Sequence, residues 1–176
     1  MLTKKQKMIS EMTPTAKSEC KRHQQRVNIG LVIAGLFLIV GALMPYIYIQ
    51  TYSSLGFQFG SEEAWVMKSG ATMSALALIG EVISLYARSE SDIDRRGVIW
   101  EPYGPEMVRE ASRLSVKIIT SSVIVLAFTG LAINSHGDIL LVNADRWLWL
   151  SPFWIMLVIF VITASILWKK RIFASP

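Results

Sequence analysis

The sequence predicts an all-α polytopic membrane protein with four transmembrane helices. Of its 176 residues, 52% are hydrophobic, and the mean hydropathy is +0.42, which is more apolar than a typical soluble domain. Four apolar stretches of about 20 residues alternate with polar segments, and a helix of that length spans the ~30 Å hydrocarbon core of a bilayer. Tryptophan and tyrosine residues gather near the ends of these stretches, as they do at membrane interfaces.

We expect two antiparallel hairpins joined by a charged cytoplasmic loop. Of the 18 lysines and arginines, 16 lie on one side of the predicted spans and only Lys68 and Arg146 on the other, so the positive-inside rule predicts that both termini are cytoplasmic. We expect the membrane to be a bacterial inner membrane. The segments are a basic tail (1–26), the first span (27–48), a periplasmic loop with the start of helix 2 (49–68), the second span (69–87), the charged loop (88–113), the third span (114–134), a short periplasmic loop (135–146), the fourth span (147–168) and a basic C-terminus (169–176).

The basic tail has two interpretations. It is either a partly disordered cytoplasmic segment, which its composition favours, or one or two helical turns on anionic lipid headgroups. The first span that follows is interpreted as a signal anchor, because no A-x-A cleavage site follows its core. Pro45 is expected to kink or end this helix, and a polar loop is expected over residues 50–60.

The second span holds the sharpest functional candidate, Glu81, which is the only charge between Lys68 and Arg88. An acid inside the membrane is costly, so it is normally paired or faces water. Ser61 is a plausible N-cap for this helix, with two glutamates in the first turn.

The third span carries a single charge, Lys117, at a depth similar to that of Glu81. The two predict an intramembrane polar pair, although Lys117 is also long enough to extend back to the membrane surface. Pro105 suits the first position of a helix running unbroken into this span.

Small residues recur at helical spacing in three of the spans and predict close helix packing. The predicted packing seam consists of Gly30, Ala34 and Gly41 in the first span, Gly70, Ser74, Ala77 and Ser84 in the second, and Ser115, Ser122 and Thr129 in the third. The fourth span is nearly uniform in large apolar residues, so we expect it to be the most lipid-exposed helix.

The charged loop breaks helix with two prolines and two glycines between residues 97 and 105. Its aromatic and basic residues either anchor the loop at the lipid headgroups or mark a docking surface for a partner. These residues are Trp100, Tyr103, Arg95 and Arg96.

Several classes of protein are excluded by residue usage. Cys20 is the only cysteine, so the four-helix membrane oxidases that generate disulfides, which need paired cysteines, do not fit. His23 and His136 lie outside the spans, which excludes a bis-histidine haem within the bundle. No nucleotide, metal or hydrolase motif is visible, so we expect no cofactor and no enzyme. The basic residues set membrane topology and do not call for direct nucleic-acid binding.

These features favour a non-enzymatic subunit of an inner-membrane assembly, such as a secretion, conjugative-transfer or envelope complex. Its expected partners are other membrane-protein subunits or further copies of the chain, together with anionic lipid headgroups. Two alternatives remain. One is a small homo-oligomeric transporter or channel that uses Glu81 as a proton or cation site. The other is a membrane-bound regulatory or immunity-type protein that acts through the charged loop.

Overall fold

The computed structural model describes residues 13–55, 61–88, 104–143 and 146–169, and the regular structure in these ranges is helical. A 3₁₀ turn, Arg146–Leu150, leads into the last helix. The helices, numbered in chain order, are α1 (Pro14–Leu55), α2 (Glu62–Arg88), α3 (Gly104–Asn143) and α4 (Ser151–Lys169). Within the described residues, four helical stretches are long and apolar enough to cross a membrane, which confirms the predicted helical class and the predicted number of such helices.

The first helix is much longer than the predicted span. It has 42 residues and is therefore ~63 Å long, about twice the thickness of a hydrocarbon core. Residues 14–26 are helical and continue into the span, whereas residues 1–12 lie outside the described residues, so the partly disordered tail stays a prediction. The helix also continues through Pro45 to Leu55, which corrects the loop expected from residue 50. Pro45 is buried against the bundle, where neighbouring helices can compensate for its missing backbone hydrogen bond.

The second helix begins as expected. The backbone N–H of Ala64 donates to the Ser61 hydroxyl oxygen at 3.3 Å, and Glu62 and Glu63 occupy the first turn. Ser61 is therefore confirmed as the N-cap, and the two carboxylates lie where the helix dipole favours negative charge.

The third helix begins at Gly104, has Pro105 in its first turn and continues into the third span, as predicted. Its backbone leaves helical geometry at His136, where φ is −134° and ψ is 23°. The regular helical geometry of α3 is therefore interrupted at this residue.

The first three helices form the tightly packed part of the bundle. The contacts of α1 with α2 and of α2 with α3 are the most extensive, whereas α4 packs mainly on α1 and less on α3. Only 17% of the membrane-spanning stretch of α4 is buried, against 33% to 44% for the other three helices. This confirms that α4 is the most exposed helix, and large apolar side chains cover its outer surface.

Contacts at both ends of α1 show how it lies beside α2. The Arg26 guanidinium stacks over the Tyr86 ring, 5.0 Å from the ring centre, and donates to the Tyr86 carbonyl oxygen at 3.4 Å. Further along α1, the Tyr48 hydroxyl lies 3.2 Å from that of Thr72, and its ring lies 5.7 Å from the Trp65 ring. Early α1 therefore lies beside late α2, and late α1 lies beside early α2.

The backbones of α2 and α3 touch at a point that we call the α2–α3 crossing, formed by Gly70, Ser74 and Gly130. A Cβ atom on Gly70 would collide with the Gly130 carbonyl oxygen and would lie 2.6 Å from the Asn134 amide nitrogen. A Cβ atom on Gly130 would lie 2.6 Å from the Gly70 carbonyl oxygen. The Ser74 hydroxyl adds an interhelical hydrogen bond to the Ala127 carbonyl oxygen at 2.9 Å. Only glycine at these two positions permits this approach.

Replacement of Gly70 by valine is expected to destabilise the bundle by about 1–3 kcal/mol, because its side chain meets backbone atoms that cannot rotate away. The measurement is SDS-driven unfolding of the protein in mixed micelles. Ala71→Val is the matched control, since Ala71 is the exposed neighbour on the same helix. Equal stability of the two variants would contradict the observed crossing.

Candidate functional site

A polar cluster lies where the last third of α2 faces α3, and we call it the Glu81 cluster (Glu81, Arg88 and Thr120). The Thr120 hydroxyl lies 3.3 Å from each carboxylate oxygen of Glu81 and donates to the carboxylate. One terminal nitrogen of Arg88 forms a salt bridge with the same carboxylate at 3.4 Å. Both carboxylate oxygens of Glu81 are therefore engaged within this chain.

The Arg88 contact follows from spacing along α2. Glu81 and Arg88 are seven residues apart, or about two helical turns, so they lie on the same face of the helix. The Arg88 side chain folds back along that face, and its Nε donates to the Ser84 carbonyl oxygen at 3.1 Å. Arg88 therefore adds a side-chain donor to a carbonyl near the C-terminal end of α2, where a cation is favoured by the helix dipole.

The Thr120 contact follows from the register of α2 against α3. Ser74 bonds to the backbone of Ala127, and seven residues later on α2, Glu81 meets Thr120, seven residues earlier on α3. The α2–α3 crossing therefore fixes the position of the cluster, and the two features depend on each other.

The cluster lies at the edge of the bundle rather than in its centre. The Glu81 side chain is 21% exposed and that of Arg88 27% exposed. Val82 and Leu85, beside them on α2, are more than half exposed and face outward. The charged pair is thus covered on one side by α3 and bordered by an apolar surface on the other.

Lys117, which we expected as the partner of Glu81, is not among its contacts. The Lys117 side chain is exposed and lines the space between α3 and α4. Thr120, three residues further along α3, lies against Glu81 instead, and Arg88 supplies the positive charge. This arrangement fits the other interpretation of Lys117, in which its side chain extends toward the membrane surface.

Two serine hydroxyl groups are buried at the same end of the bundle. The Ser84 and Ser115 side chains are 0% exposed, and their hydroxyl oxygens have no hydrogen-bond partner within the described ranges. Serine is small enough to let helices approach closely, which explains its use at buried positions between them.

The structure places most of the predicted packing seam inside the bundle. A Cβ atom on Gly30 would collide with the side chain of Ala87, so α1 also approaches α2 closely. The buried members are Gly30, Ala34, Gly41, Gly70, Ser74, Ala77, Ser84, Ser115 and Ser122, whereas Thr129 is half-buried. The docking candidates Trp100, Tyr103, Arg95 and Arg96 lie outside the described residues.

Three contacts were missed by sequence reasoning. The spacing of seven residues between Glu81 and Arg88 was a usable signal for their salt bridge. Thr120 was not singled out, because one threonine in an apolar helix gives no sign of the direction in which it points. The contact of Arg26 with Tyr86 joins two helices and had no local signal.

Within the described ranges, no three His, Cys, Asp or Glu side chains come together in a way that could hold a metal ion. Neither a protein-family model, nor a curated protein, nor a solved structure matches this chain. The geometry of the bundle is therefore the basis for its proposed function.

Replacement of Thr120 by valine is expected to weaken the bundle by about 0.6 kcal/mol, and by no more than ~1.7 kcal/mol, the range for hydrogen bonds between membrane helices. The measurement is the unfolding free energy in mixed micelles, in a double-mutant cycle with Glu81→Leu. Thr129→Val is the matched control, because the Thr129 hydroxyl bonds only within α3, to the Val125 carbonyl oxygen. A Thr120→Val effect no larger than the control, with no coupling to Glu81→Leu, would show that the Glu81 contact does not stabilise the bundle.

Proposed function

We propose that this protein is a non-enzymatic integral subunit of a multiprotein assembly in a bacterial inner membrane, such as a secretion, conjugative-transfer or envelope complex. In this proposal, the four helices cross the membrane as two antiparallel hairpins, and both termini face the cytoplasm. The protein holds its helices together in the lipid and presents a helical surface to its partners on the cytoplasmic side.

The main structural support for this role is the helical extension of α1, residues 14–26. At 1.5 Å per residue, it reaches ~20 Å beyond Val27, where the apolar span begins. A helix that only anchors the chain does not need this length. An ordered projection of this kind supports a role in contacting other subunits.

One side of the extension is packed against the rest of the chain. Cys20 is 0% exposed, His23 9% and Gln24 7%, and together with Val27 they form a stripe at helical spacing. On the opposite side, Lys21 and Arg22 are exposed, and Arg22 forms a salt bridge with Glu19 at 3.1 Å. The extension is therefore held in place and displays positive charge, which suits an acidic surface of a partner.

The third helix supports the same conclusion. It begins at Gly104, before the predicted span at 114, so it also has helical residues outside the apolar stretch. Late α2, early α1 and the first part of the α3 span lie at one end of the bundle. The charged loop predicted over residues 88–113, of which 104–113 belong to α3, connects α2 to α3 at this end, so we assign the docking role to this segment and the extension together.

The Glu81 cluster favours this function over ion transport. Arg88 and Thr120 already engage both carboxylate oxygens of Glu81, and a cation at this site would have to displace or oppose Arg88. The interior acid is thus best explained as a clamp that holds α2 against α3.

The test is affinity purification of the tagged protein from native membranes in mild detergent, followed by mass spectrometry. We expect stoichiometric companion subunits with the wild type and at least a several-fold loss with Lys21→Glu combined with Arg22→Glu. His136→Glu is the control, since His136 is an exposed residue of α3 outside the first part of that helix. Trp100→Ala with Tyr103→Ala tests the loop in the same experiment.

Extraction of all variants in equal amounts verifies that they insert and fold. Recovery of the wild type as a lone 19.7 kDa chain, without companions or further copies, would overturn the proposal.

A further inference from the structure

A groove of about 360 Å³ runs between α3 and α4 on the outer surface of the bundle. It exists because α4 packs mainly on α1 and leaves part of α3 uncovered. The lining is apolar over most of its length and polar at one end. The apolar side chains include Val125, Ile155, Met156 and Ile159, and the polar end is formed by Lys117 and Ser121.

The polar end of the groove carries a positive charge, the Lys117 ammonium. Lys117 is exposed and has no salt bridge within the described ranges, since Glu81 is paired with Arg88. Ser121 is exposed beside it, whereas the Ser122 hydroxyl is already bonded to the Ile118 carbonyl oxygen at 2.8 Å. Among the residues that the structure describes, the groove therefore offers an unpaired ammonium group and an exposed hydroxyl, followed by an apolar channel.

We propose that this groove binds an anionic phospholipid, with its phosphate at Lys117 and Ser121 and one acyl chain along the apolar lining. From Lys117 to Val125, α3 rises ~12 Å, and the acyl chain follows this length into the membrane. Lys117 lies four residues after Arg113, or ~6 Å deeper, a depth from which a lysine side chain reaches the headgroup region.

Charge complementarity selects the occupant. Basic pockets between membrane helices bind the headgroups of anionic lipids, and a lysine near the surface contributes a several-fold gain in affinity. A zwitterionic lipid fits the same apolar lining but brings no net charge to Lys117. The site does not depend on the protein's proposed role as a subunit.

The test uses native mass spectrometry of the purified full-length protein, titrated with phosphatidylglycerol or with phosphatidylcholine. We expect the wild type to hold one phosphatidylglycerol with about fivefold higher affinity than phosphatidylcholine. Lys117→Gln should abolish this preference and Lys117→Arg should preserve it. Lys68→Gln is the control, because Lys68 is an exposed lysine of α2 outside the groove.

A second pair of variants tests the position of the acyl chain. Val125→Phe places a larger side chain in the groove and should lower the binding of both lipids several-fold. Ile124→Phe should not, because Ile124 is an exposed neighbour that does not line the groove. Equal affinity of the wild type for the two lipids, or a preference unchanged by Lys117→Gln, would overturn the proposal and identify the lipid as an ordinary part of the surrounding bilayer.

Discussion

Contact between the backbones of α2 and α3 at the α2–α3 crossing is the constraint on which the rest of the bundle depends. Lipid tails are as apolar as leucine, so burial of apolar side chains does little to bring helices together inside a membrane. Association depends on close van der Waals contact and on hydrogen bonds between helices. Gly70 and Gly130 supply the close contact, and Ser74 supplies a hydrogen bond to the facing backbone. Once this point is fixed, the register of the two helices brings Thr120 to Glu81.

The same register separates the two charges that the sequence places at similar depth. Glu81 faces α3 and is satisfied by Arg88 and Thr120, so the acid is used inside the protein. Lys117 points outward into the groove beside α4, so its charge is available to the surroundings. The acid therefore contributes to packing within the protein, whereas the base is exposed at its surface.

Hydropathy and residue size were sufficient to predict the four helices, the small residues at their interfaces and the exposure of α4. The Ser61 cap was also predictable, because a cap is a local interaction. The length of α1 was not predictable, since its polar first turns are stabilised by burial of Cys20, His23 and Gln24 within the fold. The contact of Thr120 with Glu81 was not predictable either. Side chains three positions apart on a helix point in directions that differ by ~60°. A rotation of α3 by that angle therefore decides whether Lys117 or Thr120 faces Glu81.

The most direct test of the α2–α3 crossing is cross-linking of α2 to α3 in native membranes. The protein carries Cys20→Ala, which removes its only cysteine, together with Ser74→Cys and Ala127→Cys and a protease site between residues 89 and 103. Leu78→Cys with Phe128→Cys is the control pair, since both of these side chains are exposed, at 58% and 68%. If α2 and α3 touch at this crossing, a short bifunctional thiol reagent should join the 74/127 pair, so that the two halves stay together after protease cleavage. The control pair should not be joined. The crossing would be contradicted if the 74/127 pair is cross-linked no faster than the control pair.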